Sequence, residues 1–186
     1  NNQANSDIRH AMVFHQNMIS NRKKEFDELL INFSKDEAII IMDFKANLSL
    51  GKGPVEDARI FFSAPQRTIF GAAIYLKKDE KIFKINMSII SSILNHDAKM
   101  VKEILENNII NLSIFNDFGI KKFNFWMDNA PNHFRVMENI ATLYDIYDNT
   151  QKMVEINFFP EYHGKSECDR HFGFISRMYK EHTSYG

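Results

Sequence analysis

Apolar and polar positions divide this chain into helical and extended segments. Residues 8–33 carry apolar side chains at intervals of three and four, which predicts a long N-terminal helix. A polar turn follows, and the apolar run 39–42 then leads into Asp43. This run is typical of a strand buried on both faces of a sheet, with Asp43 at its end. Glycine and proline interrupt residues 45–57, which we expect to form a loop.

The rest of the chain predicts a mixed α/β domain. Extended runs separated by short polar turns indicate an antiparallel meander over 58–63, 68–76 and 81–90. Helices are then predicted over 97–112, 129–147 and 167–181, and strands over 123–127 and 153–159. The middle helix is expected to turn Phe134, Met137, Ile140, Leu143 and Tyr144 inward and to end at Asp148-Asn149. A meander followed by alternating helices and strands predicts a sheet with helices on its faces.

Composition narrows the class of protein. The chain has 186 residues, 44% of them hydrophobic, and a formal net charge of −1, which excludes a uniformly basic nucleic-acid-binding chain. Its single cysteine, Cys168, rules out an intrachain disulfide and favours a reducing, intracellular compartment. No apolar run reaches the roughly 20 residues of a membrane span, so we expect no membrane partner. We expect a fragment of a longer protein, with a helical segment (1–36) before one compact domain (37–186).

Acidic residues stand where several predicted elements begin or end. Asp43 ends the first strand, and Asp128 ends the strand after the first crossover helix. Asp169 or Glu167 opens the last helix. Two carboxylates at neighbouring strand ends and a third on a flanking helix can converge on a pair of divalent ions, and hard oxygen ligands suit Mg²⁺. Two such ions about 3.5–4 Å apart stabilise the attacking and leaving oxygens of a phosphoryl displacement.

Three segments resemble the acidic motifs of one enzyme family. Residues 42–47, Met-Asp-Phe-Lys-Ala-Asn, are similar to the Asp-Phe-x-x-Asn motif of certain eukaryotic cut-and-paste transposases. Residues 126–134, Trp-Met-Asp-Asn-Ala-Pro-Asn-His-Phe, resemble the second-acid motif. Residues 158–169 contain His-Gly-Lys-Ser-Glu-Cys-Asp and resemble the segment around the third acid. The chain therefore resembles the catalytic domain of DDE/DDD transposases and retroviral-type integrases over most of its length.

This resemblance implies a ribonuclease H-like fold. It predicts a mixed five-stranded sheet with its first three strands antiparallel, helices on both faces and the N-terminal helix alongside. It also implies DNA cleavage and strand transfer in a nucleus, with two Mg²⁺ or Mn²⁺ ions held by Asp43, Asp128 and Asp169. The expected substrate-binding residues are His163, Lys165, Asn129 and Arg170. DNA is the expected partner, a homodimer in a longer protein is allowed, and recognition of DNA ends would lie outside this sequence.

The third acid has two candidates. Integrase-like chains carry Pro-x-x-x-Gly-x-x-Glu at this point, and Pro160, Gly164 and Glu167 match that spacing. Asp169 instead ends the match to His-Gly-Lys-x-x-Cys-Asp. Helical spacing predicts a buried stripe of Cys168, Phe172, Ile175 and Tyr179. Asp169 lies on a small, polar stripe beside it and Glu167 on a more crowded face, so we favour Asp169.

Other interpretations of the same residues stay open. Asp128 can cap the helix that follows it, and Asp169 can complete a capping box with Ser166. His163, Cys168 and His171 form a weak zinc pattern that lacks a fourth ligand. Two alternative functions share the predicted fold: a domesticated, catalytically inactive domain that binds DNA or protein, and a structure-specific nuclease.

Overall fold

A five-stranded mixed sheet forms the centre of the protein in a computed structural model that describes residues 2–50, 65–128, 134, 136–159 and 167–184. The strands are β1 (Glu37–Ser49), β2 (Gln66–Lys78), β3 (Lys81–Ser91), β4 (Lys122–Asp128) and β5 (Met153–Phe159). The helices are α1 (Asn2–Asn32), α2 (Ala98–Ile104), α3 (Ile114–Asp117), α4 (Met137–Thr150) and α5 (Glu167–Ser184). A π-helical turn, Leu105–Ile109, continues α2.

The strand order is β3-β2-β1-β4-β5. β1, β2 and β3 pair antiparallel, whereas β1 with β4 and β4 with β5 pair parallel. β2 and β3 are joined by Asp79 and Glu80, which both have positive φ, as a two-residue hairpin of the right twist requires. The α/β, ribonuclease H-like fold predicted from the sequence is confirmed, including its antiparallel first three strands.

Helices cover both faces of the sheet. One face presents Ile40, Met42 and Phe44 of β1 to α2, α3 and α4, and forms the larger apolar core. The opposite face presents Ile39 and Ile41 to α5 and to the C-terminal part of α1. Because side chains alternate along a strand, every second residue of β1 belongs to this second face, which we call the α5 face. In the described part of the chain, no helix has the length and apolar character needed to cross a membrane.

The structure corrects the prediction for the first strand. β1 does not end near Asp43 but continues to Ser49, because β2 stays paired with it as far as Gln66. A bulge between Lys45 and Leu48 interrupts the register. The predicted loop was therefore wrong for residues 45–49, and Asp43 lies inside a strand. The predicted strand at 58–63 lies outside the described residues.

Several helix predictions were wrong at their ends or in their phase. α4 begins at Met137 and passes Asp148-Asn149 to end at Thr150, where Gln151 adopts a left-handed conformation. Met137 and Tyr144 are exposed rather than inward, because Leu143 and Ile146 form the buried side of this helix. The helix predicted over 97–112 keeps its α-helical geometry only to Ile104. In α1, Phe26, Leu29 and Leu30 pack on the sheet, whereas Met12 is exposed.

Candidate active site

Asp43 and Asp128 occupy neighbouring positions of adjacent strands. The parallel pairing of β1 with β4 runs as far as Met42 and Met127, and each aspartate is the next residue of its strand. Alternation along the strands places both on the α5 face. Parallel pairing thus brings together two acids that are far apart in the sequence.

The first turns of α5 pack closely against this part of the sheet. Cys168 is buried, and its thiol donates to the carbonyl oxygens of Ile41 and Gly71 at 3.6 Å from each. Gly71 is the β2 partner of Asp43. A Cβ atom at Gly71 would lie 2.6 Å from the ring of Phe172. The missing side chain at this position therefore lets α5 approach the sheet directly beside Asp43.

Asp43 has the most perturbed carboxyl group among the described residues of this site. Burial is the main cause that raises its pKa from 3.8 to about 7, and the negative charges of Asp169 and Asp128 add to it. A hydrogen bond donated by the backbone N–H of Phe44 acts in the opposite direction. No cationic side chain of the described residues is among these causes. The carboxylates of Asp169 and Asp128 therefore oppose the ionisation of Asp43.

Glu167 has different surroundings on the same helix. Its carboxylate forms ion pairs with Lys84 of β3 and with Arg170, the latter at 3.3 Å. Burial, and then the charge of Glu167, raises the pKa of Tyr75 to about 12. Lys84, Glu167 and Arg170 help to line an open cleft of about 390 Å³ between β3 and α5.

The two candidates for the third acid therefore differ in their electrostatic partners. Asp169 raises the pKa of Asp43, whereas Glu167 is matched by cations of its own. The buried stripe predicted for α5 explains why Asp169 and Glu167 have different partners, because the residues of this stripe determine which side of the helix faces the sheet. Cys168 and Phe172 are buried, and Ile175 and Tyr179 are partly buried.

The three aspartates provide the type of ligand that a hard divalent cation prefers, but their side chains are not already arranged around a cation site. Carboxylate oxygens are the ligands that Mg²⁺ and Mn²⁺ prefer. Among the residues that the structure describes, however, no three His, Cys, Asp or Glu side chains are grouped closely enough to hold a metal ion. A cation would have to draw the carboxylates of Asp43, Asp128 and Asp169 together. The raised pKa of Asp43 marks a repulsion that such a cation would relieve.

The remaining predicted site residues divide into two groups. Asn129, His163, Lys165 and Ser166 lie outside the described residues. Arg170 is exposed beside Glu167.

The zinc pattern finds no support in its two described members. The thiol of Cys168 contacts backbone carbonyls beneath α5, and the ring of His171 stacks on Phe174 with centroids 6.4 Å apart.

A polar cluster on the opposite face was not predicted. The His96 ring stacks on Phe44 at 4.4 Å, and its Nε2 atom lies 3.1 Å from the hydroxyl of Thr68. Thr68 donates a hydrogen bond of 2.9 Å to Asn47. Asn47 closes the Asp-Phe-x-x-Asn motif and lies within the bulge of β1, where its hydrogen bond with Thr68 links β1 to β2. The motif pointed to Asn47, but no sequence pattern connects it with His96.

A second unpredicted cluster lies on the α5 face at the start of β1 and β4. The buried Glu37 carboxylate accepts a hydrogen bond of 3.0 Å from Asn124 and forms an ion pair of 3.0 Å with Lys122. Lys122 also pairs with Glu155 of β5 at 2.6 Å, and its hydrogen bond lowers the pKa of that carboxyl group. We call these residues the Glu37 ladder. It joins the β1, β4 and β5 strands by charge and hydrogen bonding.

Comparison with known proteins places the chain in a family without assigning it an activity. No curated protein matches the sequence. A family match covers residues 22–185, which include about the last third of α1, the whole sheet and all of α5. Because this match spans most of the chain, the protein belongs to the family described as a domain of unknown function, DUF8701.

Proposed function

We propose that this domain cleaves and joins DNA strands as a polynucleotidyl transferase of the transposase or integrase type. The observation that carries the proposal is that Asp169 and Asp128 raise the pKa of Asp43 from a helix and an adjacent strand of a ribonuclease H-like fold. Strongly perturbed carboxyl groups gathered on rigid elements are a common property of functional sites. The resemblance of all three acidic segments to transposase motifs supports the same conclusion.

In this proposal Asp43, Asp128 and Asp169 hold two Mg²⁺ or Mn²⁺ ions. When bound, such ions activate a water or a DNA 3′-hydroxyl and stabilise the leaving oxygen of the phosphodiester. Asp43 must be ionised to act as a ligand, and its pKa of about 7 means that near neutral pH it does so by losing a proton. Cation binding should therefore release protons, most clearly below pH 7.

DNA contacts would come from a basic surface of α5. Arg170, Arg177 and Lys180 are exposed there, and Lys165 would extend this surface from outside the described residues. Asn129 and His163 would position the phosphate or the acidic ligands. Because the chain has a net charge of only −1, a local patch must supply the attraction to phosphate. Binding should then be weak at about 50 mM salt and weaken steeply as salt increases.

The test is cleavage and joining of a DNA substrate by the full-length protein with Mg²⁺ or Mn²⁺. Asp43→Asn, Asp128→Asn and Asp169→Asn should each abolish both reactions. Glu167→Gln is the matched control on α5, because Glu167 pairs with Lys84 and Arg170, and it should retain activity. A fully active Asp169→Asn alongside an inactive Glu167→Gln would reverse the assignment of the third acid.

The second candidate is a non-catalytic DNA- or protein-binding domain. It is favoured by one observation, that the described residues contain no group of side chains ready to hold a metal ion. Calorimetric titration with Mn²⁺ at two pH values separates the candidates. Binding with proton release that Asp43→Asn removes supports the enzyme. DNA binding without any cation binding supports the second candidate.

A further inference from the structure

We propose that β3 pairs with β3 of a second copy of this chain, antiparallel and centred on Asn86, to form a continuous ten-stranded sheet. This inference is independent of the proposed function, since it concerns the outer edge of the sheet and not the aspartates. β3 is an edge strand in the described part of the chain. An edge strand presents unpaired backbone N–H and C=O groups that another strand can use.

Apart from the exposed Lys81 at its first position, β3 lacks the usual features that protect an edge. It pairs with β2 over its whole length, from Lys81 to Ser91, without a bulge. Ile82 is 50% exposed and Ile90 is 61% exposed, so apolar side chains lie at both ends. A lysine often guards an edge by reaching into solvent. Lys84 does not, because it pairs with Glu167 and lies over the Tyr75 ring.

The sequence of β3 is nearly symmetric about Asn86, and this symmetry selects a second copy as the partner. A two-fold axis through Asn86 places Ile82 opposite Ile90, Phe83 opposite Ile89 and Ile85 opposite Met87. It also places Lys81 opposite Ser91 and Lys84 opposite Ser88. Apolar residues thus meet apolar residues, and each lysine meets a serine. A two-fold interface needs such self-complementarity, because the same surface serves both subunits.

Two neighbouring pairing registers also keep residues of the same sheet face opposite each other, but their side chains are less complementary. An axis through Ile85 would set Lys81 against Ile89. An axis through Met87 would set Lys84 against Ile90. Each of these buries a lysine beside an isoleucine, which is costly without a counter-charge. The Asn86 axis also keeps alternate residues on their own faces, so the larger apolar core of one copy meets that of the other.

Sedimentation of the 186-residue chain over a wide concentration range tests the interface. The wild type should dimerise, and Ile82→Lys or Ile90→Glu should each weaken the dimer at least about tenfold, since every substitution occurs twice. The double variant Ile82→Lys/Ile90→Glu should regain affinity, because each introduced lysine faces an introduced glutamate. Met153→Lys on β5, the opposite edge strand, is the matched control and should change nothing.

Oxidative cross-linking tests the axis. Asn86→Cys should form an intermolecular disulfide, because the two copies of this position face each other. Lys81→Cys should not, since its two copies lie ten positions apart along the strand, about 33 Å at about 3.3 Å per residue. The native Cys168 is buried and does not compete. Circular dichroism confirms that each variant is folded.

Three outcomes would overturn the proposal. The first is a wild type that stays monomeric at every concentration. The second is a dimer that Ile82→Lys leaves unchanged, which would place the interface elsewhere. The third is a double variant as weak as the single variants together with an Asn86→Cys that fails to cross-link, which would exclude the Asn86 axis.

Discussion

The α5 face carries carboxylates at both ends of the β1–β4 pairing, and they are balanced in different ways. At the start of the pairing, buried Glu37 meets the Lys122 ammonium and the Asn124 amide. At its end, the negative charges of Asp169 and Asp128 add to the effect of burial and raise the pKa of Asp43. Lys122 supplies a counter-charge for Glu37, whereas no cation of the described residues is among the causes that shift the pKa of Asp43. A partly buried acid beside further acids is stabilised by a proton or by a bound cation, which is why we assign a structural role to the first end and propose a functional role for the second.

The largest effect in this comparison should come from Asp43→Asn. Asp43 ionises near pH 3.8 in the unfolded chain and near pH 7 in the folded protein, so between these values the folded state holds one proton more. The free energy of unfolding should therefore fall as pH rises from about 4 to 7, by up to ~4 kcal/mol at about 1.4 kcal/mol per pH unit. Asp43→Asn removes this loss and should stabilise the cation-free protein near neutral pH.

Urea unfolding in the presence of a chelator, near pH 4 and near pH 8, measures this effect. The variant and the wild type should be similarly stable at the lower pH and should differ at the higher pH. A difference that is the same at both pH values would contradict the raised pKa of Asp43.

Lys122→Met should destabilise the protein by its effect on Glu37, at the start of the β1–β4 pairing. It leaves the buried Glu37 carboxylate without its cation, and removing one partner of a buried pair costs ~3 kcal/mol. Urea unfolding at neutral pH checks the loss. Lys121→Met, at the exposed neighbouring residue, is the matched control and should be nearly neutral. Equal losses in the two variants would show that Glu37 does not depend on Lys122.

Mn²⁺ should stabilise the end of the β1–β4 pairing where neighbouring carboxylates raise the pKa of Asp43, and not the end where Lys122 pairs with Glu37. A cation at about 100 times its dissociation constant adds ~2.7 kcal/mol to the free energy of unfolding. The increase should vanish in Asp43→Asn and persist in Lys122→Met. Thermal unfolding with and without Mn²⁺ provides the measurement. An increase that survives in Asp43→Asn would place the cation elsewhere.

A smaller effect should come from Gly71→Ala, which separates the acids without changing them. The new Cβ atom would lie 2.6 Å from the Phe172 ring, so this ring must move, and we expect α5 to shift away from Asp43 with it, at a cost of roughly 2 kcal/mol. The pKa of Asp43 should then fall, because burial and the charge of Asp169 both decrease. NMR titration of Asp43 reports this change.

Gly173→Ala is the control within α5, since a Cβ atom there meets nothing within 4 Å. It should stabilise the helix by roughly 0.5–1 kcal/mol. An unchanged pKa of Asp43 in Gly71→Ala would mean that α5 packing does not set the environment of this residue.

The sequence predicted the sheet well because apolar runs report burial directly. The run at 39–42 identified β1, and the polar turn before β3 identified the hairpin. It failed for residues 45–49, since their pairing partner in β2 lies beyond a loop and local composition does not show it. The sequence also predicted the wrong buried side for α4. Met137 and Tyr144 are apolar or aromatic like core residues, but both are exposed.

The sequence proposed the members of the candidate site, but it could not predict how charge is balanced around them. Strand and helix positions singled out Asp43, Asp128 and Asp169, and the structure couples the first electrostatically to the other two. The partners of Glu37 and Glu167 could not be predicted. Lys122 and Lys84 reach them only through strand register and helix packing, which depend on contacts between distant parts of the chain.

The strand order also bears on how the protein reaches its native state. β2 and β3 are joined by a two-residue turn, whereas β1 must find β4 across the whole central part of the chain. Local pairings close with a small loss of chain entropy, and distant ones form late. We therefore expect that the β1, β2 and β3 strands pair before β1 pairs with β4. In this partly folded state Asp43 should still ionise as it does in a peptide. Stopped-flow experiments should then show the pH dependence in the unfolding rate, with little change in the folding rate.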